Sequence, residues 1–253
     1  ALVTDGLFLA GEGGVDVPEQ ILRGGIEWLR KYLFNEHALL AAGRKAANDP
    51  NYEAPHNAKT VASANDVLAY FTLVSWDATR RGEEEERMMS EMDEFIFASR
   101  TSLTPYSLAL YGITQTLLSK NSPVNQERCE MVERMLRQYL RTDETNQTAW
   151  LDLQAAGVGP LRWFWYGNAI ETQAAFLRFL LRVAPEDPAC PGLVKWLLNN
   201  RKNAGYWEST RDTAYCLIAL WEYLQDTHEA MQTGTVEIRV DGVMWVRPKA
   251  DED

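Results

Sequence analysis

Apolar residues in this chain recur at i, i+3, i+4 and i+7 over many segments, and the segments come in two kinds that take turns along the sequence. One kind is Ala-rich and apolar nearly all round. It includes Asp66-Val-Leu-Ala-Tyr-Phe-Thr-Leu-Val, Tyr106-Ser-Leu-Ala-Leu-Tyr-Gly-Ile, Thr148-Ala-Trp-Leu-Asp-Leu, Thr172-Gln-Ala-Ala-Phe-Leu-Arg-Phe-Leu and Thr213-Ala-Tyr-Cys-Leu-Ile-Ala-Leu. A helix with no polar side must be buried on every side. The other kind carries a charged face, at residues 21–34, 87–98, 128–140 and 193–201. The inner type starts at 66, 106, 148, 172 and 213, at intervals of 40, 42, 24 and 41 residues, and a period near 40 is that of a helical-hairpin repeat. The short interval predicts one missing outer helix, its place filled by Gly157-Val-Gly-Pro160 and the aromatic run Trp163-Phe-Trp-Tyr166. An open solenoid would keep one face of each helix wet. Two such different compositions fit a closed double ring better, so the expected fold is all-α, an α/α toroid.

The ends of the sequence add to this reading. Residues 1–10 look like an inner helix entered partway, followed by Gly11, Gly13, Gly14 and then Pro18 ahead of the next helix. A chain that starts mid-element reads as a piece of a longer one. Strand alternation is nearly absent before residue 234, but residues 235–246 alternate at period two around an Asp241-Gly242 turn. A lone hairpin is marginal by itself. The expected division is therefore a toroid over 1–230, and a linker with the first strands of a following β domain over 231–253. Residues 35–60, with Pro50, Pro55 and several Asn, are expected to be a long connection.

Composition excludes several function classes. The 25 Lys and Arg against 36 Asp and Glu give a net charge of −11, which argues against nucleic acid as a main partner. No apolar stretch approaches the length of a membrane span, and residues 1–10 have no basic segment of a secretory leader. The three cysteines, Cys129, Cys190 and Cys216, form no Cys-x-x-Cys pair and have no metal spacing with His37, His56 or His228, so no metal or cofactor is expected.

The sharpest motif runs Gly192-Leu-Val-Lys-Trp196-Leu197, then Arg201, then Gly205-Tyr206-Trp207. It resembles the repeat of α/α-toroid proteins, in which a small residue, an aromatic, an apolar residue, usually Gln, and then Gly-x-Trp stand at these offsets. Arg201 stands where Gln is usual and can still donate to carbonyls at a helix end. Gly205 lets the chain turn, and Trp207 can wedge between hairpins. Trp28, Trp196 and Trp207 then read as joints of the ring, which accounts for part of an unusual total of nine Trp. Terpenoid cyclases, protein prenyltransferase β subunits and the thioester domains of complement and alpha-2-macroglobulin proteins share that toroid.

The residues C-terminal to the motif separate these families. Trp207-Glu208-Ser209-Thr210-Arg211-Asp212-Thr213-Ala214 resembles the late signature of the thioester domains, and Ile170-Glu171-Thr172 with the Ala-rich helix after it resembles another of their segments. The resemblance is close over about 146–225 and rests on pattern alone before that. The β segment at the end agrees, because bacterial alpha-2-macroglobulin-like proteins continue from the toroid into a macroglobulin β-sandwich. The resemblance implies a structural role for Trp196, Arg201, Gly205, Trp207, Ser209, Thr210, Asp212 and Thr213. It implies a non-catalytic domain of a large protease-inhibiting protein outside the cytoplasm, with macroglobulin β-sandwich domains of its own chain as neighbours and proteases as partners of the parent.

The family's chemistry needs a Cys-x-Glu-Gln motif whose thiol and Gln carbonyl form a thioester. Cys129-Glu-Met-Val, Cys190-Pro-Gly-Leu and Cys216-Leu-Ile-Ala all fail it, so either the motif lies upstream or the parent lacks it. Cyclases need Asp-x-Asp-Asp and prenyltransferases need Asp-x-Cys with a distant His for zinc, and neither pattern occurs. The remaining alternative is an (α/α)-barrel enzyme acting on a carbohydrate or isoprenoid. It would pair Glu171 with Asp212 and use Trp163 and Trp165 as a stacking surface. Against it, acids in a helix's first turn usually cap or complement the helix dipole.

Overall fold

The computed structural model describes residues 1–76, 82–118, 122–157, 168–202 and 205–227, and the backbone of two short strands at 238–240 and 243–246. Five inner helices lie in the described residues: α1 (Leu2–Glu12), α3 (Ala64–Trp76), α5 (Pro105–Leu118), α7 (Ala169–Val183) and α9 (Thr210–Thr227). Between them run the outer helices α2 (Glu19–Asn48), α4 (Glu83–Ala98), α6 (Pro123–Arg137) and α8 (Ala189–Asn199). Each inner helix packs on the next inner one, α1 on α3, α3 on α5, α5 on α7 and α7 on α9. The outer helices back the inner row, α2 on α1 and α3, α4 on α3, α6 on α5, and α8 on α7 and α9. The Tyr215 hydroxyl of α9 donates to Asp5 of α1 over 3.5 Å, which brings the two ends of the row together. The fold is an α/α toroid.

Composition explains the layering. Every residue of α5 from Pro105 to Gln115 and every residue of α7 from Ile170 to Leu181 is buried, as the uniformly apolar segments require. The closest approach between these helices passes over Gly112, where a Cβ would stand 2.5 Å from the Phe179 ring. The helix α9 differs. It buries only Asp212, Cys216, Ala219 and Tyr223, and leaves Leu217 and Trp221 more than half exposed.

Three expectations are corrected. The segment beginning at Thr148 is not an inner helix but strand β2 (Thr148–Leu151), paired antiparallel with β1 (Leu140–Asp143) in the register Leu140↔Leu151 and Asp143↔Thr148. The Asp143 carboxylate accepts from the backbone N–H groups of Thr145 and Asn146, an Asx turn that folds the chain back before a helix can start. Consequently no outer helix is missing. Inner and outer helices alternate without a break among the described residues, and the uneven spacing arises from a hairpin added between α6 and α7.

The second correction concerns residues 35–60. The helix α2 continues to Asn48 and spans 30 residues, because Asn35–Ala47 is mostly good helix former and Gly43 is kept for the Lys59 carbonyl, which would lie 2.0 Å from a Cβ there. Third, Trp28 is no joint. It sits mid-helix on α2, 61% exposed, stacked on Tyr32 with ring centroids 5.5 Å apart. At the other end of the chain, strands β3 (Ile238–Val240) and β4 (Val243–Val246) pair antiparallel with a register shift at Ile238/Arg239, the hairpin that the alternation there predicts.

Candidate functional site

The inner helices run in the same direction, so their N-termini form one end of the ring and their C-termini the other. At the N-terminal end a capping arrangement repeats. The Asn168 side chain accepts from the Glu171 N–H at 2.9 Å while the Asn168 N–H donates to Glu171 Oε2 at 3.3 Å, a capping box for α7. Ser209 Oγ accepts from the Asp212 N–H at 3.0 Å and donates to Asp212 Oδ2 at 2.8 Å at the start of α9. On α3 the Ser63 N–H donates to Asp66 Oδ2 at 2.6 Å, and on α5 the Ser107 N–H donates to Thr104 Oγ1 at 3.3 Å. The spacing Ser/Thr/Asn-x-x-polar is visible in the sequence at all four places and is the signal that could have found the network beforehand.

The caps also join helix to helix. Asn168 Nδ2 donates to Asp212 Oδ1 at 2.7 Å, and Arg211 Nε donates to Glu171 Oε1, so α7 and α9 hold each other's N-termini reciprocally. Glu171 and Asp212 are each 1% exposed. Glu171 is engaged by its own helix cap and by the Arg211 guanidinium. On α3, Asp66 additionally accepts from Tyr32 at 2.8 Å and Lys59 at 2.7 Å, and Lys59 bridges on to Glu36. Trp163 and Trp165 lie outside the described residues.

The motif residues after α8 form a joint. Trp207 is 2% exposed, its indole N–H donates to the Leu197 carbonyl of α8 at 2.9 Å, and its backbone N–H donates to Thr213 Oγ1 of α9 at 3.1 Å. Thr213 Oγ1 in turn donates to the Ser209 carbonyl at 2.9 Å. Arg201 Nε donates to the Leu198 carbonyl at 3.0 Å, adding to the backbone bond from the Arg201 N–H at 3.4 Å at the end of α8. Gly205 closes the turn between Lys202 and Tyr206, its N–H donating to the Lys202 carbonyl at 3.2 Å. Trp196 is half-buried on α8, and Thr210 is the exposed first residue of α9.

Sequence reasoning missed a buried hub on the outer side. The Asp93 carboxylate of α4 accepts from Tyr111 at 3.0 Å and Gln115 at 2.7 Å on α5, and from Arg128 on α6, whose guanidinium lies 4.8 Å from the centre of the Phe97 ring. At the ring's C-terminal end, Glu222 of α9 takes paired bonds of 2.9–3.1 Å from both Arg178 and Arg182 of α7. Burial would push the Glu222 carboxyl up, but the bonds from Arg182 and the Arg178 charge outweigh it and hold it below the usual carboxylate range. A mainly apolar cavity of about 650 Å³ opens there, and neither Glu171 nor Asp212 lines it.

All three cysteines are buried and free. Burial pushes the Cys129 thiol up to about 11 and the Cys190 thiol up to about 12, and raises Cys216 as well, so none is a thiolate at neutral pH. Among the described residues no group of three or more His, Cys, Asp or Glu could hold a metal ion, and no helix is long and apolar enough to cross a membrane. No curated relative matches the sequence. The joint built on Trp207, the linked caps of α7 and α9 and the helices from α3 to α8 fall within residues 59–223, the stretch matched by the family model of the A-macroglobulin TED domain. That stretch is well over half of the 253 residues, and the chain belongs to the A-macroglobulin TED domain family.

Proposed function

We propose that this toroid is a non-catalytic, structural domain of a large A-macroglobulin-like protease inhibitor, acting outside the cytoplasm. Its partners are macroglobulin β-sandwich domains of the same parent chain, with residues 231–253 as the linker and first strands of one, and it meets proteases only through the parent. The observation that carries this reading is the expenditure of its acids. Glu171 and Asp212, the pair an (α/α)-barrel enzyme would need, are committed to capping α7 and α9 and to tying them together. A general acid or a nucleophile must instead face substrate.

No thioester forms in these 253 residues, since no Cys-x-Glu-Gln occurs in them and the three thiols are buried and protonated. Two measurements test the reading. The parent protein incubated with a protease is expected to lose protease activity on protein substrates, while this domain alone turns over no glycoside or prenyl diphosphate. Methylamine treatment of the domain should leave the number of thiols titrated in denaturant at three. Hydrolysis of a glycoside by the isolated domain, abolished in Glu171→Gln, would overturn the proposal.

A further inference from the structure

The cavity at the C-terminal end of the ring is lined by residues of all five inner helices, mostly from their second halves. Its size falls in the range of small-molecule sites. Three independent features give it a chemical preference. First, Asp5 of α1 lines it, is 2% exposed, and has only neutral groups as direct partners, the Trp76 indole N–H at 2.5 Å and the Tyr215 hydroxyl at 3.5 Å. Second, α1, α3, α5 and α7 line it with residues of their last turns, each the negative end of a helix dipole. Third, the walls are aromatic and aliphatic, with Phe71, Trp76, Leu217 and Trp221 among them, and ring faces favour a cation. The Ser75 hydroxyl also lines the cavity and is buried without a hydrogen-bond partner among the described residues, a spare group for a ligand.

The charges facing this space are accounted for on every side. Arg178 and Arg182 are spent on Glu222, and Arg178 acts on Asp5 only through space. With Glu12 at the mouth, the lining carries three acids against two arginines. Burial raises the Asp5 carboxyl, and the Trp76 bond and the Arg178 charge draw it only partly back, so a bound cation would relieve a carboxylate that the fold leaves short of a counter-ion.

We propose that this cavity binds a small organic ammonium ion, its apolar body between the aromatic walls and its charged head against Asp5. The experiment titrates the intact chain with n-hexylammonium, n-hexanol and n-hexanoate, following Trp fluorescence and calorimetric heats. Hexylammonium should bind about tenfold or more tightly than hexanol, the discrimination one charge-assisted hydrogen bond supplies, and hexanoate should bind least. Asp5→Asn should abolish the preference for the ammonium while leaving hexanol binding in place. Trp221→Ala, at a 61% exposed position that folding tolerates, should weaken all three. Equal affinity for hexanol and hexylammonium, tighter binding of hexanoate, or no binding of any probe would each overturn the proposal. The comparison of probes on the unmodified chain decides it even if Asp5→Asn fails to fold.

Discussion

Among individual residues, the two that hold most are a tryptophan and a glutamate, for different physical reasons. Trp207 combines a fully buried indole with a hydrogen bond to the Leu197 carbonyl, which also accepts from the Asn200 N–H at 3.2 Å, so its loss opens a cavity and removes one of that acceptor's two bonds. Trp207→Ala should cost about 3–5 kcal/mol in urea unfolding, whereas Trp207→Phe, which keeps most of the ring and loses the bond, should cost about 1–2 kcal/mol. Equal costs would mean that the hydrogen bond, and not the packing of the ring, fixes the joint. Glu222 is the shared acceptor of two arginines, one of them almost wholly buried. Removing it strands Arg178, so Glu222→Gln should cost about 3 kcal/mol at pH 7. Because the folded-state carboxyl lies below its unfolded value, this contribution is present above the unfolded value of about 4.3 and fades as pH falls through the folded one. The gap between wild type and Glu222→Gln should therefore narrow in acid, and a gap constant from pH 7 to pH 3 would contradict the assignment.

At the level of elements, residues that speak through their own periodicity were readable and those that speak through a distant partner were not. The helices α3, α5, α7 and α9 begin within three residues of where their apolar runs start, because an all-apolar helix needs no context to declare its burial. Thr148-Ala-Trp-Leu misled, since four apolar or β-branched residues suit a strand and a helix alike and the Asx turn five residues before is what decides. Likewise residues 35–60 read as a connection from Pro50, Pro55 and several Asn, whereas α2 runs on to Asn48 with its Gly43 against the Lys59 carbonyl, a partner 16 residues away. The joint at Trp207 and Arg201 was legible because its spacing is local, while the Asp93 hub draws on three helices and was invisible. Close approach gives a prediction on this scale. A methyl at Gly112 would meet the Phe179 ring, itself fully buried between α5 and α7 and unable to move aside. Gly112→Ala should therefore destabilise by about 1–3 kcal/mol despite the better helix propensity of alanine, read from the urea midpoint. A stabilised variant would show that the two helices can part without cost.

For the whole molecule, the question that matters is whether the ring behaves as one unit or as a row that frays. Repeat arrays whose units touch only their neighbours open from the ends. Here the first and fifth inner helices share the cavity lining and the Asp5–Tyr215 hydrogen bond, so the end of the row is tied back to its beginning. The three cysteines are placed to tell the difference, Cys129 on α6, Cys190 on α8 and Cys216 on the last inner helix α9. Each is buried and protonated in the folded state, so alkylation must wait for an opening that releases it. If the ring opens as a unit, Cys216 should label no faster than Cys129 in the native protein, by mass spectrometry of quenched time points. Tyr215→Phe removes the closing hydroxyl and little else, and should speed Cys216 while leaving Cys129 unchanged. Should Cys216 already lead Cys129 by orders of magnitude in the unmodified chain, α9 is fraying as the end of an open array. The tie through Asp5 would then hold the helix in place without making the ring cooperative.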